Sequence, residues 1–419
     1  MIQRAVIITV GNELLRGQTI DTNSAFLAQQ LAAVGLEVKL KLSIGDCEDD
    51  IISALETAEQ NGSVIVLSGG LGPTSDDRTK SALARRYDRP LVFHESVMQA
   101  VDAHFRRLGR HMPEINRNQA LLPQGSLLLP NAHGTAWGIW IEHDGKDIIA
   151  LPGVPFELKP MVVEHLMPRL RQKLQLPPLL YRTLHVYGIG ESALAERIAD
   201  IEHQLPPQLS LAYLPHYSVV RLRLNASGAD QQTLQALLAE AEQKLLQRLG
   251  NAVFGFDDTS LEAELGNMLR AAGKSVATAE SCTGGAVAAR IVEIPGASDY
   301  FIGGVVTYSN ELKQQLLNVS AATLQQHGAV SEPTVLEMLR GLFQLFPTDY
   351  GAAISGIAGP DGGSPQKPVG TVWIAVGNRH HHQAHRFLFR GNRTDIITYA
   401  ALNTLGLLLQ CVRADQQHP

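Results

Sequence analysis

Between Arg4 and Gly70 the chain alternates strand-length apolar runs with helical patterns, and few folds tolerate that order. RAVIITVG (4–11) is followed by NSAFLAQQLAAVG (23–35), EVKLKLSIG (37–45), EDDIISALETAEQ (48–60) and SVIVLSGG (63–70). A β-α-β-α-β order predicts a mainly parallel α/β sheet with right-handed crossovers. Ligands of such sheets bind beyond the carboxyl ends of the strands. Two Gly-containing turns fall there, Gly11-Asn12-Glu13-Leu14 and SGGLGPTSDD (68–77).

Further along, the texture changes. PRLRQKLQLPPLLY (168–181) is a Pro- and Leu-rich connector, so the first domain is expected over 1–168. A strand RTLHVYG, a helix ESALAERIADIEHQL, strands within LSLAYLPHYSVVRLRLN and a long helix from Gln231 to Leu249 predict a small α+β domain over 169–250. NAVFGFDD (251–258) leads into a helix, LEAELGNMLRAAG, and the strand SVATAE opens a third, again α/β, domain over 259–412. The apolar stretch Tyr399–Val412 carries Asn403 and Thr404 and is short, which suits a buried helix better than a membrane span.

A formal net charge of -6 and an aromatic content of 5% supply neither a basic field nor a stacking platform for nucleic acid. Cys47, Cys282 and Cys411 lie far apart without CxxC spacing, as in a cytosolic protein with reduced thiols. The opening MIQRAVIITVGNE has a strand pattern and no small-residue cleavage site, so no signal peptide is expected.

AESCTGG (279–285) sits where the strand 275–280 hands over to a helical pattern, GGAVAARIVEI. Such a turn exposes side chains and aims free backbone N–H groups outward at the positive helix end. An attacking group there has an oxyanion site within reach, from the amides of Cys282, Thr283 and Gly284. Ser281 and Cys282 compete for the attacking role, because a helix N-terminus also depresses a thiol's pKa. In VVTYSNELK a strand ends at Tyr308 and Ser309 is an N-cap, which puts Lys313 at the fourth helical position. The helix dipole and burial both lower a lysine's proton affinity there. An uncharged Lys313 can serve Ser281 as a base, with Tyr308 positioning or relaying the proton. The plainer alternative leaves Ser281 as a helix cap and Lys313 in solvent.

Asp76 and Asp77 end SGGLGPTSDD, Glu13 closes the first strand, and Glu157 follows the opening turn of LPGVPFELK (151–159). Three carboxylate positions converging on one sheet edge suit a hard divalent cation that binds phosphates. The same residues at helix starts also serve simply as dipole partners. SGIAGPDGG (355–363) follows the strand YGAAIS and suits backbone contacts to ribose and phosphate, or a tight loop needing positive φ. Arg393, after Gly391-Asn392, is either a phosphate contact or an exposed helix-start arginine. The tract with His380, His381, His382 and His385 joins two strand patterns and reads as a solvated hairpin rather than a metal site.

AESCTGG, VTYSNELK (306–313), QHGAVSE (326–332), SGIAGPDGG and KPVGTVW (367–373) together resemble the amidohydrolase domain of the CinA family. GNELLRGQTIDTNS (11–24), SGGLGPTSDD, NRNQA (116–120), HGTAWG (133–138) and LPGVPFELK resemble that family's molybdopterin-binding-like N-terminal domain. HVYGIGESALAERI (185–198) has the small-residue turn of its KH-like domain.

The resemblance implies hydrolysis of nicotinamide mononucleotide to nicotinate mononucleotide and ammonia. It places the nucleophile on Ser281, with Tyr308 and Lys313 beside it, and Cys282 lending its amide rather than its sulfur. It implies substrate contacts at Ser355, Gly356 and Thr371, and no cofactor for this amidase. For the N-terminal domain it implies a divalent-metal-dependent ADP-ribose pyrophosphatase using Glu13, Asp77 and Glu157, with pterin binding as the alternative. The KH-like domain is expected to be a spacer and homodimer-forming element, since Gly188-Ile189-Gly190-Glu191 offers an acid where a nucleic-acid clamp offers a base. Competence and DNA-damage names attached to the family imply a nucleic-acid role, which the acidic balance disfavours. The expectation is therefore a cytoplasmic, two-headed hydrolase of small nucleotides in pyridine nucleotide salvage, with no membrane partner.

Overall fold

Strand β1 (Arg4–Val10) is buried at every position after Arg4 because its two faces feed separate cores. Val6, Ile8 and Val10 pack with Ile51, Leu55 and Ile65, whereas Ala5 and Ile7 pack with Leu27, Leu31 and Val66. Successive side chains leave a strand on opposite faces, so an unbroken apolar run must be covered twice. The computed structural model describes residues 4–175, 179–228 and 230–417. The chain divides into two compact units, Met1–Leu180 with Ser227–Gln231, and Tyr181–Ala226 with Gln232–Pro419.

The first unit contains β1, β2 (Glu37–Ile44), β3 (Val64–Ser68), β4 (Leu91–Phe93), β5 (Leu121–Pro123), β6 (Leu127–Leu129), β7 (Gly138–His143) and β8 (Lys146–Leu151). Six of them form one sheet in the order β2-β1-β3-β8-β7-β6. Pairing is parallel from β2 through β8, as the alternation predicts, and antiparallel beyond it. The reversal follows from the turn between β7 and β8, where Asp144 (φ 45) and Gly145 (φ 73) both sit in the left-handed region that a two-residue hairpin needs. In the connector, a helix runs on to Leu174, past the expected end at 168; Leu176, Pro177 and Pro178 lie outside the described residues.

The second unit opens with the expected small α+β layer. Strands β9 (Leu179–Tyr187), β10 (Leu209–His216), β11 (Val219–Ser227) and β12 (Val253–Phe256) are ordered β10-β11-β9-β12, with helices Glu191–His203 and Gln231–Leu249. β12 lies in NAVFGFDD, which the sequence presented only as a lead-in; four residues are too few to show a period. The layer is tied to the helix Arg393–Gln417: Tyr187 Oη donates to Asn403 Oδ1 at 3.1 Å, and Asn403 Nδ2 donates to Ser218 Oγ at 2.6 Å.

The remaining sheet holds β13 (Val276–Glu280), β14 (Phe301–Val306), β15 (Tyr350–Gly356), β16 (Thr371–Asn378) and β17 (His382–Leu388), in the order β14-β13-β15-β16-β17. One face sets Val276, Ile354 and Ile374 against Leu265, Leu405 and Leu408. The other presents Ala277, Ala279, Ala353 and Ala375 to Val335, Met338 and Leu339 of the helix Glu332–Leu345. Methyl-sized side chains on that face let the helix come close. Helix Arg393–Gln417 is apolar and long enough to cross a membrane, yet Ala400, Ala401, Leu405 and Leu408 are fully buried in this core. His380 and His381 form the exposed turn between β16 and β17, with His382 and His385 on β17. The chain is thus an α/β multidomain protein with a small α+β middle layer.

Candidate active site

The ladder of β13 continues one step past Glu280, as Ser281 N–H donates to Ile354 O at 3.0 Å. Glu280 itself is buried, and its carboxylate accepts from the N–H groups of Gly285 (3.0 Å), Val287 (3.1 Å) and Ala288 (2.9 Å). It therefore caps the helix Ala286–Val292 from within and closes the turn that presents Ser281. On the neighbouring strand, Thr307 N–H donates to Glu280 O at 2.8 Å. Ser309 Oγ accepts from Leu312 N–H at 3.2 Å and starts the helix Asn310–Leu317, as its sequence predicts.

These anchors carry Lys313 Nζ to 2.9 Å from Ser281 Oγ, 2.6 Å from Thr307 O and 3.4 Å from Tyr308 O. Lys313 is 1% exposed, and burial draws its pKa below the ordinary lysine value. No carboxylate pairs with it among the described residues. Taking an ammonium out of water without a counter-charge favours its neutral form. A neutral amine has two donors and one lone pair. With its two donors on the carbonyls of Thr307 and Tyr308, the neutral amine would turn its lone pair to the Ser281 hydroxyl.

The rival nucleophile has the opposite environment. Cys282 is 6% exposed, and burial pushes its thiol up to about 12. A thiol so held stays protonated at neutral pH and is a poor attacking group. Its backbone is better placed: the N–H groups of Cys282 and Thr283 donate to no acceptor in another described residue. Gly284 differs from expectation, because its N–H donates to Ser281 O at 3.1 Å and closes the turn. Of the three turn amides, those of Cys282 and Thr283 are thus unengaged among the described residues and that of Gly284 is not.

A cavity of about 190 Å³ opens over this pair, lined by Ser281, Tyr308, Lys313, Ser355, Gly356 and Arg393 among others. The Tyr308 ring is exposed, and its hydroxyl accepts from Arg393 Nη2 at 3.0 Å rather than facing Ser281. Only its carbonyl approaches Lys313, so a relay through the phenol has no bonded path here. Arg393 Nη1 also donates to Gly359 O at 2.7 Å, which fixes the guanidinium at the mouth of the SGIAGPDGG loop. Ser355 Oγ donates to Ala329 O at 2.7 Å. Gly356 keeps the wall close, since a Cβ there would lie 3.0 Å from Cys282 Sγ and 3.0 Å from Thr371 O. Thr371 is fully buried behind Gly356 and does not line the cavity. Ala329 and Val330 do line it, as does the Glu280-capped turn that forms its floor. Their roles were unread in the sequence, although QHGAVSE and AESCTGG contain them.

In the N-terminal unit the three carboxylates do not assemble into the expected cation site. Among the described residues, no three His, Cys, Asp or Glu side chains gather closely enough to hold a metal. Asp77 is turned onto its own loop, accepting from Thr74 N–H at 3.0 Å and Thr74 Oγ1 at 2.5 Å. Glu157 accepts from Asn131 Nδ2 at 2.7 Å, and burial raises its pKa. Glu13 is exposed and folded over Gly11. Lys80, which the sequence reading passed over, is buried beside Asp77; burial draws it down to about 8, and it donates to Asn118 O at 2.9 Å.

Residues 258–412 match the CinA C-terminal domain, residues 6–172 a probable molybdopterin binding domain, and residues 181–255 the damage-inducible protein CinA KH domain. A CinA-like protein of Cytophaga hutchinsonii is 41% identical over 404 residues, covering 96% of this chain and 97% of its own length. A putative competence-damage inducible protein of Moorella thermoacetica is 42% identical over 412 residues, covering 98% and 99%. A crystallised competence-damaged protein (CinA) superfamily protein from Klebsiella pneumoniae shares 38% identity, covering 37% of this chain and 96% of that one, with a TM-score of 0.36.

Proposed function

The chain belongs to the CinA family, and we propose that its C-terminal domain hydrolyses the carboxamide of nicotinamide mononucleotide, releasing ammonia and nicotinate mononucleotide. The observation that carries this reading is the 2.9 Å approach of a buried, unpaired lysine amine to a serine hydroxyl. Lys313 takes the proton of Ser281 as Oγ attacks the carboxamide carbon. Negative charge developing on the carbonyl oxygen is met by the amides of Cys282 and Thr283. Lys313 then returns the proton to the departing ammonia. Water, deprotonated in turn by Lys313, cleaves the acyl-serine ester and frees the acid. Arg393 retains N–H donors beyond its bonds to Gly359 and Tyr308, and these suit the substrate phosphate.

Incubating the full chain with nicotinamide mononucleotide is expected to yield ammonia and nicotinate mononucleotide in equal amounts. Release of free nicotinamide instead would mean cleavage of the glycosidic bond and would contradict the proposal. Cys282→Ala is expected to keep most of the ammonia release, since the sulfur takes no part. Arg393→Ala is expected to raise KM for the mononucleotide by about 10- to 100-fold, the worth of a charge-assisted contact, with a smaller change in kcat. Steady-state kinetics on both variants measure this directly; an unchanged KM in Arg393→Ala removes the phosphate from that position.

A further inference from the structure

Within the second unit, between the middle layer and the C-terminal domain, lies a cavity of about 290 Å³, larger than the one over Ser281. The proposed reaction makes no use of it. One wall is cationic. Arg221 on β11 is exposed and lines the cavity, and its side chain forms no hydrogen bond or ion pair with any described residue. Arg290, from the helix Ala286–Val292, also lines it and is paired with Glu262 at 2.8 Å. His216 stands close to both: burial, then the charges of Arg221 and Arg290, draw its pKa below the ordinary histidine value. Glu262 pairs with Arg290 and not with Arg221. Phe254 and Leu402, both buried, also line the cavity and supply apolar surface.

We propose that this cavity binds a nucleoside monophosphate, with its phosphate between Arg221 and His216 and its base against Phe254 and Leu402. A guanidinium with no partner among the described residues presents a planar fork of donors that matches phosphate oxygens. A cavity with a few convergent polar groups and an apolar wall is the usual form of a small-molecule site. Inorganic phosphate would satisfy the cations but leave the apolar wall in contact with water. Glu262 supplies an acceptor for ribose hydroxyls or a base amine. The ligand would touch Arg221 from the middle layer and Arg290 from the C-terminal domain, so its binding joins the two. This inference does not rest on the amide hydrolysis above.

Calorimetric titration of the full chain with AMP, adenosine and inorganic phosphate tests it. AMP is expected to bind, and adenosine and inorganic phosphate to bind at least about 10-fold more weakly. Arg221→Glu and His216→Ala alter exposed positions and are expected to leave the unfolding midpoint and ammonia release unchanged. Arg221→Glu is expected to remove one AMP site per chain, and His216→Ala to weaken that site. An unchanged number and affinity of AMP sites in both variants would overturn the proposal, as would the absence of AMP binding to the unaltered chain. Inorganic phosphate binding as tightly as AMP would overturn the nucleoside assignment.

Discussion

Ser281→Ala is expected to lower the turnover of nicotinamide mononucleotide by on the order of 10⁴- to 10⁶-fold, the range seen when a nucleophilic serine is removed from its base. The fold should survive, because among the described residues the Ser281 hydroxyl bonds only to Lys313, while its amide keeps the ladder bond to Ile354. Substrate affinity, read by calorimetry, should change little, since Arg393 and the loop after β15 are untouched. The residual rate reflects the two oxyanion amides and positioning alone. Near-normal turnover in Ser281→Ala would remove the covalent route altogether.

Lys313→Met combines a large loss of activity with a gain in stability. General-base removal is expected to cost roughly 10²- to 10⁴-fold in kcat. Methionine fills a similar volume without an ionisable group. The sign of the stability change follows from proton linkage. The folded-state pKa of Lys313 lies below its unfolded value, so the unfolded chain binds the extra proton across the interval between them. Unfolding is therefore favoured as pH falls from the unfolded pKa towards the folded one, and this lysine's penalty is fully present below the folded pKa. The variant lacks that penalty: its unfolding midpoint should exceed the parent's at neutral pH, with the difference shrinking as pH rises toward the ordinary lysine value. Thermal unfolding at several pH values measures it. A variant less stable at neutral pH than at high pH, relative to the parent, would show that Lys313 is charged and compensated in the fold.

How much of this was legible in the sequence depends on the range of the forces involved. The strand–helix alternation of 4–70 was readable because burial on both faces leaves an unbroken apolar run. Lys313 was readable because a local serine cap at Ser309 sets its place on the helix, and the motif at 279–285 set Ser281. Other features turn on geometry that no local pattern encodes. Gly284 lost its oxyanion role because the chain turns tightly after Ser281 and its N–H closes that turn onto Ser281 O. Tyr308 faces Arg393, which lies on an element far along the chain. Glu13 and Glu157 sit in the first turns of helices and Asp77 in the loop after β3, but each carboxylate turns to a nearby partner or glycine instead of a common centre. Lys80 carried no sequence signal, since its low proton affinity arises from burial beneath the segment 116–120.

The central claim is that burial lowers the proton affinity of the Lys313 amine in the folded protein. Nitrogen-detected NMR titration of the full chain, labelled with ¹⁵N at the lysine side-chain amines, tests it most directly. Two amines are expected to titrate below the ordinary lysine range, Lys80 at about 8 and one further resonance, which disappears in Lys313→Met. If the resonance lost in Lys313→Met instead titrates with the surface lysines, the amine is an ordinary ammonium at working pH and cannot take the proton from Ser281.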